Sequence, residues 1–284
     1  MSVYIGLDIG GTKFMAAAAN AKREILRRIK ASSPQDLDQG LHLLKEMVTE
    51  VAANERIAGI GAAIGGPLNL RTGVVSPLHQ PEWRNVPLKK IIEAEFECPF
   101  HVDVDTNVAA LGEYHSYPKR PQSLLYITIS TGMGGGLVID GSIFRGMKGE
   151  HPEIGHQSIH FRCSHPEKVI CECGAPDCLE ALVSGNGIRR IYGRPPERLD
   201  AHQWDEVAYN LGQGLRNLSA IYLPEVICLG GGVALGGGEK LLSNAQAVMQ
   251  EYLKLVPAPK IHLSRLGYDT ALFGAVYIAI HGIE

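Results

Sequence analysis

The chain has 284 residues, of which 45% are hydrophobic and 20% are charged. These proportions exclude a disordered or collagen-like chain, and a formal net charge of −3 leaves no basic field of the kind that dominates nucleic-acid binding. No apolar window approaches the roughly 18 residues of a membrane span, and the amino terminus has no basic signal region. We therefore expect a cytoplasmic protein without a nucleic-acid or membrane partner. At about 100–200 residues per domain, the length predicts two globular units.

The first half of the chain opens with apolar runs separated by a glycine turn: VYIGLDI, GGTK, FMAAAAN and EILRRIKAS. This pattern predicts a β-meander. In chain order we then predict a helix over 36–53, a strand over 57–64, a loop-rich stretch after 67, a helix near 87–96, a strand over 101–104 and a helix over 106–114. Two prolines within 116–123 mark the joint with the second half.

The second half begins in the same way, with LLYITIS, TGMGGG and LVIDG. After this second hairpin we predict helices over 178–193 and 203–221, a strand over 226–229, a helix ending near 255, a strand near 261 and a last helix from 269. Both halves of the chain thus begin with a meander and continue with alternating helices and strands. This repeat predicts an α/β protein of two related lobes. We place the lobes at 1–117 and 118–284, with the last helix, about 269–282, packing back on the first.

Three glycine clusters follow apolar strands, at Gly10–Gly11, Gly132–Gly136 and Gly230–Gly232. Each alone is typical of a tight turn. Glycine also lets backbone N–H groups converge on an anion, and the neighbouring hydroxyls of Thr12 and Thr131 favour a polyphosphate. No GxxxxGK[ST] string occurs, and the second cluster leads into a β pattern where a dinucleotide-binding loop would open a helix. The clusters therefore predict a phosphate site that is neither a P-loop nor a Rossmann loop.

Two aspartates lie at the ends of predicted strands. Asp8 in the string DIGGTK could hold a hydrated Mg²⁺ on the phosphates while the residues from Gly10 to Lys13 face them, although aspartate before a turn is also ordinary turn chemistry. Asp105 follows the strand predicted over 101–104. On the residues alone, an N-cap of the next helix is the favoured explanation for Asp105.

Four of the six cysteines lie within sixteen residues, which favours metal chemistry in a reducing compartment over disulfides. Cys171, Cys173 and Cys178 form C-x-C-x4-C, and with His156 they make a four-coordinate set for a structural zinc with no position left for water. A closed zinc of this kind would also position the groups on its loop. Rival ligands that the spacing does not exclude are Cys163, His160 and His165.

Five strings together resemble the ROK family of bacterial sugar kinases and regulators: DIGGTK at 8–13, STGMGGGLVIDG at 130–141, HPEIGH at 151–156, CECGAPDCLE at 171–180 and LGGGVA at 229–234. The resemblance runs from Val3 to about Gly274. It implies a two-lobed ribonuclease H-like, actin-like ATPase fold with a zinc-stabilised loop, ATP with Mg²⁺ as phosphoryl donor, a hexose as acceptor, and a homodimer.

The resemblance also assigns roles residue by residue. Asp105 falls at the family's catalytic aspartate, which accepts the proton of the attacking sugar hydroxyl. The positions implied to bind the nucleotide are Asp8, Gly10, Gly11, Thr12, Lys13, Thr131, Gly132, Gly134, Gly231 and Gly232. Those implied to contact the sugar are Gly66, Asp105, Glu153, His156 and Glu180, and the implied zinc ligands are His156, Cys171, Cys173 and Cys178. On the residues alone, Glu180 is equally explained as a carboxylate favoured by a helix dipole.

One departure from the family pattern bears on the substrate. Many members have asparagine where this chain has Val104, whereas members resembling fructokinases read Asp-x-Asp-x-Asn, which Asp103, Asp105 and Asn107 match. We therefore predict ATP-dependent phosphorylation of a hexose, expected at the 6-hydroxyl, with fructose or mannose favoured over glucose. The alternatives are a sugar-responsive regulator, for whose helix-turn-helix extension a phosphate loop at residue 8 leaves no room, and a sugar-binding protein without catalysis.

Overall fold

The computed structural model describes Ser2–Ile283. The strands are β1 (Ser2–Ile9), β2 (Lys13–Ala19), β3 (Ile25–Ser32), β4 (Arg56–Ile64), β5 (Leu68–Asn69), β6 (Val74–Val75), β7 (Phe100–Val104), β8 (Ser123–Ile129), β9 (Met133–Ile139), β10 (Ser142–Ile143), β11 (Val226–Gly230) and β12 (Lys260–Leu263). The helices are α1 (Leu37–Ala52), α2 (Leu88–Phe96), α3 (Asp105–Tyr114), α4 (Leu179–Val183), α5 (Gly185–Tyr192), α6 (Ala201–Tyr222), α7 (Gly232–Tyr252) and α8 (Thr270–His281).

The chain divides into two compact units. The first contains the residues up to Ser116 together with those from Asp269 onward, and the second contains Tyr117–Tyr268. Each unit has its own buried apolar core. No helix within Ser2–Ile283 combines the length and apolar character needed to cross a membrane.

The first unit is built on a five-stranded sheet of order β3-β2-β1-β4-β7. The meander β1-β2-β3 is antiparallel, whereas β4 and β7 run parallel to β1. In register, Asp8 of β1 lies opposite Ala63 of β4, and Ala63 lies opposite Asp103 of β7. The carboxyl ends of these three strands therefore meet at one edge of the sheet.

Helix α8 packs on the first unit through unusually close backbone contacts. A Cβ added at Gly61 of β4 would lie 2.1 Å from the Ala275 carbonyl oxygen, and one at Gly274 would lie 1.8 Å from the Val108 carbonyl oxygen of α3. Only glycine permits such approaches. The last helix of the chain is thus tied to β4 and α3, more than 100 residues before it.

The second unit repeats this sheet, with the order β10-β9-β8-β11-β12. Strands β8 and β9 form the antiparallel hairpin, and β11 and β12 run parallel to β8. Helices α6 and α7 pack against each other beside the sheet. The long connection between β10 and α4 contains only short 3₁₀ turns, at Met147–Gly149, Ile154–His156 and Pro166–Lys168.

The predicted α/β class is confirmed, and the two meanders begin where the apolar runs indicate. The helical segment predicted over 178–193 is present as two helices, α4 and α5, with a break at Ser184 that the prediction did not include. The backbone of Ser184 is extended and its hydroxyl accepts a hydrogen bond of 3.1 Å from the Gly187 N–H, so Ser184 caps a new helix. Apolar periodicity continues through such a break, which hides it from pattern reading.

Candidate active site and metal cluster

The first glycine turn joins β1 to β2. The Gly10 N–H donates to the Lys13 carbonyl at 3.1 Å, and the Thr12 carbonyl accepts the Ser33 N–H at the same distance. A Cβ at Gly11 would lie 2.8 Å from Cβ of His79, so the turn and the His79 loop approach too closely for any other residue. His79 was not among the predicted site residues. Its contact with Gly11 spans 68 positions, so no short motif around His79 indicates it.

Asp8 lies beside this turn, partly buried at the end of β1. Burial raises its pKa to about 7, the negative charges of Asp105 and Asp269 act in the same direction, and Lys13 opposes them. Asp8 therefore belongs to a group of carboxylates whose mutual repulsion a divalent cation would relieve.

Asp105 begins α3 at the carboxyl end of β7, and its side chain is exposed. Val104 occupies the N-cap position without a side-chain hydrogen bond, and the Asp105 carboxylate accepts the Thr106 N–H at 2.8 Å. The cap explanation that the residues alone favoured is therefore wrong for the helix boundary in this structure. The Asp105 side chain is thus an exposed carboxylate at this edge of the sheet.

A buried polar pair lies directly behind Asp105. The Asp103 carboxylate, which is fully buried, accepts the Val104 N–H at 2.6 Å and the Asn107 side-chain amide at 3.3 Å. The Asn107 bond therefore ties the penultimate residue of β7 to the first turn of α3. The Asp-x-Asp-x-Asn string thus contains one exposed carboxylate, Asp105, and a buried pair, Asp103 and Asn107. The buried pair fixes the junction of β7 and α3, from which Asp105 projects.

Gly66 follows β4, the neighbour of β7 in the sheet. A Cβ at Gly66 would lie 3.8 Å from Cγ2 of Val104, and the Gly66 carbonyl accepts the Leu78 N–H at 3.0 Å. Because Ile64 and Val104 are in register, the Gly66 loop and Asp105 lie side by side. The structure thus brings together the sugar-contact and catalytic positions that the sequence predicts for the first unit.

The second glycine turn joins β8 to β9 and is braced by α5. The Ser130 N–H donates to the Gly132 carbonyl at 2.9 Å, while the Ser130 and Thr131 carbonyls accept the N–H groups of Gly185 at 2.7 Å and Asn186 at 3.0 Å. Thr131 is exposed. Gly134, which the resemblance also placed at the nucleotide, lies inside β9 opposite Thr128 and outside the turn.

Glu180 connects this turn to the loop before α4. Its Oε2 accepts the Met133 N–H at 2.8 Å, and a Cβ at Gly132 would lie 3.1 Å from the same oxygen. The Cβ of Glu180 also lies 3.3 Å from a Cβ added at Gly155, the neighbour of His156. A predicted sugar contact, a predicted phosphate turn and a predicted metal ligand are therefore adjacent in the second unit.

The third glycine cluster lies between β11 and α7. Gly231 has φ +86°, and an added Cβ would lie 2.4 Å from the Ile129 carbonyl oxygen, whereas Gly232 opens α7 with no described atom within 4 Å of an added Cβ. The first N–H groups of a helix have no partners within the helix. This cluster therefore presents backbone donors suited to an anion.

The four predicted metal ligands form one cluster. One ligand atom from each of His156, Cys171, Cys173 and Cys178 lies within 4.8 Å of all the others. Cys171 Sγ is 3.4 Å from His156 Nδ1, and Cys173 Sγ is 3.5 Å from Cys178 Sγ. A tetrahedral zinc with Zn–S of about 2.3 Å would give edges of about 3.5–3.8 Å, so the donor set fits zinc. The rivals Cys163, His160 and His165 lie outside this cluster of described residues.

The orientation of His156 also suits a metal, while the pKa shifts of the free thiols differ in direction. The Ala175 N–H hydrogen bond lowers the pKa of Cys173 to about 7, whereas burial raises that of Cys178. Because Nδ1 of His156 faces Cys171, its Nε2 faces the other way and lies 3.9 Å from the exposed Glu153 carboxylate. One histidine thus has a nitrogen for the metal and a second nitrogen beside a predicted sugar contact.

Comparison with known proteins identifies the family to which this chain belongs. The sequence profile of the ROK family matches residues 4–281. A fructokinase from Zymomonas mobilis is 30% identical, with 98% of this chain and 96% of the relative covered. The crystal structure of a ROK hexokinase from Thermus thermophilus aligns with a TM-score of 0.85 at 32% identity, covering 98% of this chain and 97% of that one.

A second solved structure is a ROK family glucokinase from Streptomyces griseus in complex with glucose and AMPPNP. It aligns with a TM-score of 0.82 at 26% identity, covering 99% of this chain and 100% of that one. Together, the repeated α/β sheets and these relatives define the class as a sugar kinase with the actin-like ATPase fold. The chain belongs to the ROK family, as its sequence strings indicated.

Proposed function

We propose that this sugar kinase transfers the terminal phosphoryl group of ATP to the 6-hydroxyl of a hexose, with Asp105 as the general base. The observation that carries the proposal is the exposed Asp105 carboxylate, which projects from the end of β7 beside the Gly66 loop and interacts electrostatically with Asp8. ATP as donor is supported by the AMPPNP held by the Streptomyces griseus glucokinase.

In the proposed step, the sugar hydroxyl oxygen forms a bond to the γ-phosphorus while the bond from that phosphorus to the β,γ-bridging oxygen breaks. The hydroxyl proton passes to the Asp105 carboxylate, and ADP leaves. Positioning and charge stabilisation dominate phosphoryl transfer, so the base contributes mainly by orienting and deprotonating the nucleophile. The bonds that Asp103 accepts from Val104 and Asn107 hold the helix start that carries Asp105.

The glycine turns would hold the phosphates of the nucleotide through backbone N–H groups, with the hydroxyls of Thr12 and Thr131 beside them. Asp8 would bind Mg²⁺ through its hydration shell, and Mg²⁺ neutralises charge on the phosphate oxygens when it is bound. Asp8 is suited to this role because burial, and then the charges of Asp105 and Asp269, raise its pKa to about 7, so a cation bound beside it would favour its charged form. Below about pH 7, a proton would compete with the cation for this carboxylate.

Zinc would be held by Cys171, Cys173, Cys178 and His156 Nδ1 in a closed site with a structural role. Ligation through Nδ1 would leave the Nε2–H of His156 to donate to a sugar hydroxyl, next to Glu153 as an acceptor. The metal would thereby set the tautomer of a sugar-binding histidine without taking part in the chemistry.

Val104 supports fructose or mannose over glucose as the acceptor. Its side chain lies next to the Gly66 loop, where it offers a methyl surface and no amide. A hydroxyl stripped of water costs about 1–3 kcal/mol when unpaired, so a sugar that needs a partner at this point would bind less well. Introducing an amide with Val104→Asn should shift the ratio of kcat/KM toward glucose, whereas the isosteric Val104→Thr should shift it less.

An ADP-release assay with fructose, mannose, glucose, N-acetylmannosamine and allose tests the proposal, and NMR of the product locates the new phosphate. We expect ADP release that depends on sugar and a phosphate on the 6-oxygen. Sugar binding by calorimetry without ADP release would instead identify a sugar-binding protein, and phosphate on another oxygen would overturn the 6-hydroxyl assignment alone.

A further inference from the structure

Glu153 has a second histidine beside it, in addition to the predicted metal ligand His156. His151 Nε2 lies 3.6 Å from Glu153 Oε1, and His156 Nε2 lies 3.9 Å from Glu153 Oε2. The two imidazoles therefore face different oxygens of one carboxylate. All three residues belong to the second unit, and we call them the His-Glu-His group.

His151 and Glu153 differ in burial. The side chain of His151 is 16% exposed, whereas that of Glu153 is 63% exposed. A surface pair of the same residue types, His42 with Glu46 on α1, has a shorter contact of 3.2 Å and is exposed on both sides. Such surface pairs contribute little to stability. In the His-Glu-His group, by contrast, the surrounding chain holds the His151 imidazole in place, and the Glu153 carboxylate projects beyond it.

The backbone that carries this group is restrained. Pro152 separates His151 from Glu153, and a proline fixes its own φ and favours extended backbone at the residue before it. A 3₁₀ turn, Ile154–His156, follows Glu153. Ile154 is buried and packs so closely on β9 that a Cβ added at Gly135 would collide with its side chain. The His-Glu-His group is therefore presented by a segment that is anchored on the sheet.

Each imidazole and the carboxylate oxygen that it faces suit one sugar hydroxyl. The separations of 3.6 and 3.9 Å exceed the roughly 2.7–3.2 Å of a direct hydrogen bond, but an added oxygen can lie about 2.8 Å from both atoms of either pair. A hydroxyl donates one hydrogen bond and also accepts, so it can donate to the carboxylate and accept from the imidazole. Because a carboxylate only accepts, we assign a proton to Nε2 of His151. The group can therefore bind two hydroxyls at once.

We propose that His151 is a further sugar-binding residue, and that the His-Glu-His group binds two hydroxyls on neighbouring carbons of the hexose. The two oxygens of a carboxylate share one carbon, so the hydroxyls that donate to them must also be close neighbours. This inference rests on the proposed function, in which Glu153 and His156 contact the sugar. It gives a role to the first histidine of the HPEIGH string, which is not among the predicted contacts.

Two variants of His151 separate hydrogen bonding from packing. His151→Phe keeps a ring and removes the donor, whereas His151→Gln loses the ring and keeps a donor. Calorimetry of the full chain with fructose, mannose and glucose measures sugar binding. We expect His151→Phe to weaken it about tenfold, the worth of one hydrogen bond, and His151→Gln to stay within about threefold of wild type. His42→Gln, which disrupts the surface pair of α1, is the matched control and should bind as wild type.

Deoxy sugars test which hydroxyls the group binds. The probes are mannose or glucose without the 2-, 3- or 4-hydroxyl, or fructose without the 1-, 3- or 4-hydroxyl, according to the sugar that binds most tightly. We expect wild-type affinity to fall about tenfold for two probes whose missing hydroxyls are on neighbouring carbons. For one of these two, the fall should be several-fold smaller in His151→Phe, because the bond to His151 is already lost.

The outcomes distinguish this inference from the proposed function. Wild-type affinity in His151→Phe, or a greater loss in His151→Gln than in His151→Phe, would show that the histidine only packs, and would leave sugar-dependent ADP release intact. Losses for hydroxyls on carbons that are not neighbours would overturn the assignment of the two hydroxyls. A wild-type protein that binds none of the three sugars would overturn the proposed function, and this inference with it.

Discussion

The two units share one sheet design but carry different chemistry at the ends of their strands. In the first unit, the carboxyl ends of β1 and β7 carry Asp8 and Asp105, whose charges interact. In the second, the turns after β8 and β11 present glycine and threonine, with Glu180 supplied by a helix. Both units therefore present a glycine turn with backbone donors, which suit phosphates, and the first unit adds two strand-end aspartates, which suit a cation and a proton.

Removing the base from the first unit should give the largest effect. Asp105→Asn keeps the shape and the acceptor for the Thr106 N–H, so we expect sugar binding to be nearly unchanged and kcat to fall by about 10³-fold. Steady-state kinetics and sugar calorimetry measure both quantities. Asp140→Asn, an exposed aspartate in the β9–β10 turn of the second unit, is the matched control and should keep full turnover. Wild-type kcat in Asp105→Asn would reject the base assignment.

The metal cluster of the second unit should give the next largest effect. We expect one zinc per chain by elemental analysis, and Cys173→Ser should lose most of it together with stability on the order of several kcal/mol. Cys163→Ser removes a neighbouring thiol outside the cluster and should keep the metal. Protein purified without chelators that contains no zinc, or zinc loss in Cys163→Ser alone, would contradict the ligand set.

Two adjacent glycines after β11 differ in whether their backbone conformation and surroundings require glycine. Gly231→Ala forces a Cβ into a positive φ and to within 2.4 Å of the Ile129 carbonyl, so we expect a loss of stability of about 1–3 kcal/mol. Gly232→Ala meets open space at the first residue of α7 and should be neutral within about 0.5 kcal/mol. Denaturant unfolding of the pair measures the difference, and equal values would show that the turn relaxes.

Asp8 should make the stability of the first unit depend on pH. The folded protein holds the Asp8 proton up to about pH 7, whereas an ordinary aspartate loses it near 3.8, so ionisation lowers the free energy of unfolding progressively between these values. Asp8→Asn should therefore raise stability at pH 8, on the order of 1 kcal/mol, and leave it unchanged at pH 3. Thermal unfolding at both pH values measures the change. A gain of equal size at pH 3 would trace it to packing.

Most of the predicted elements and candidate residues could be read from short strings of the chain. The strand alternation, the glycine turns and the C-x-C-x4-C spacing are local, and the strand-end position of Asp105 follows from the order of apolar runs. Helix boundaries were harder to predict from the sequence, as the break at Ser184 shows. A hydrogen bond from a serine cap does not interrupt the apolar periodicity. The role of each site residue stays a prediction that the variants above test.

The sequence by itself determined the α/β class and the repeated hairpins, since these depend on residue type and spacing over a few positions, whereas it left three rivals open beside the four proposed metal ligands. Only the tertiary structure decided which distant groups meet. Glu180 accepts the Met133 N–H across 47 positions, and His79 closes on Gly11. Such contacts arise when parallel strands align their ends and when backbones approach at glycine, and neither event leaves a periodic pattern in the chain.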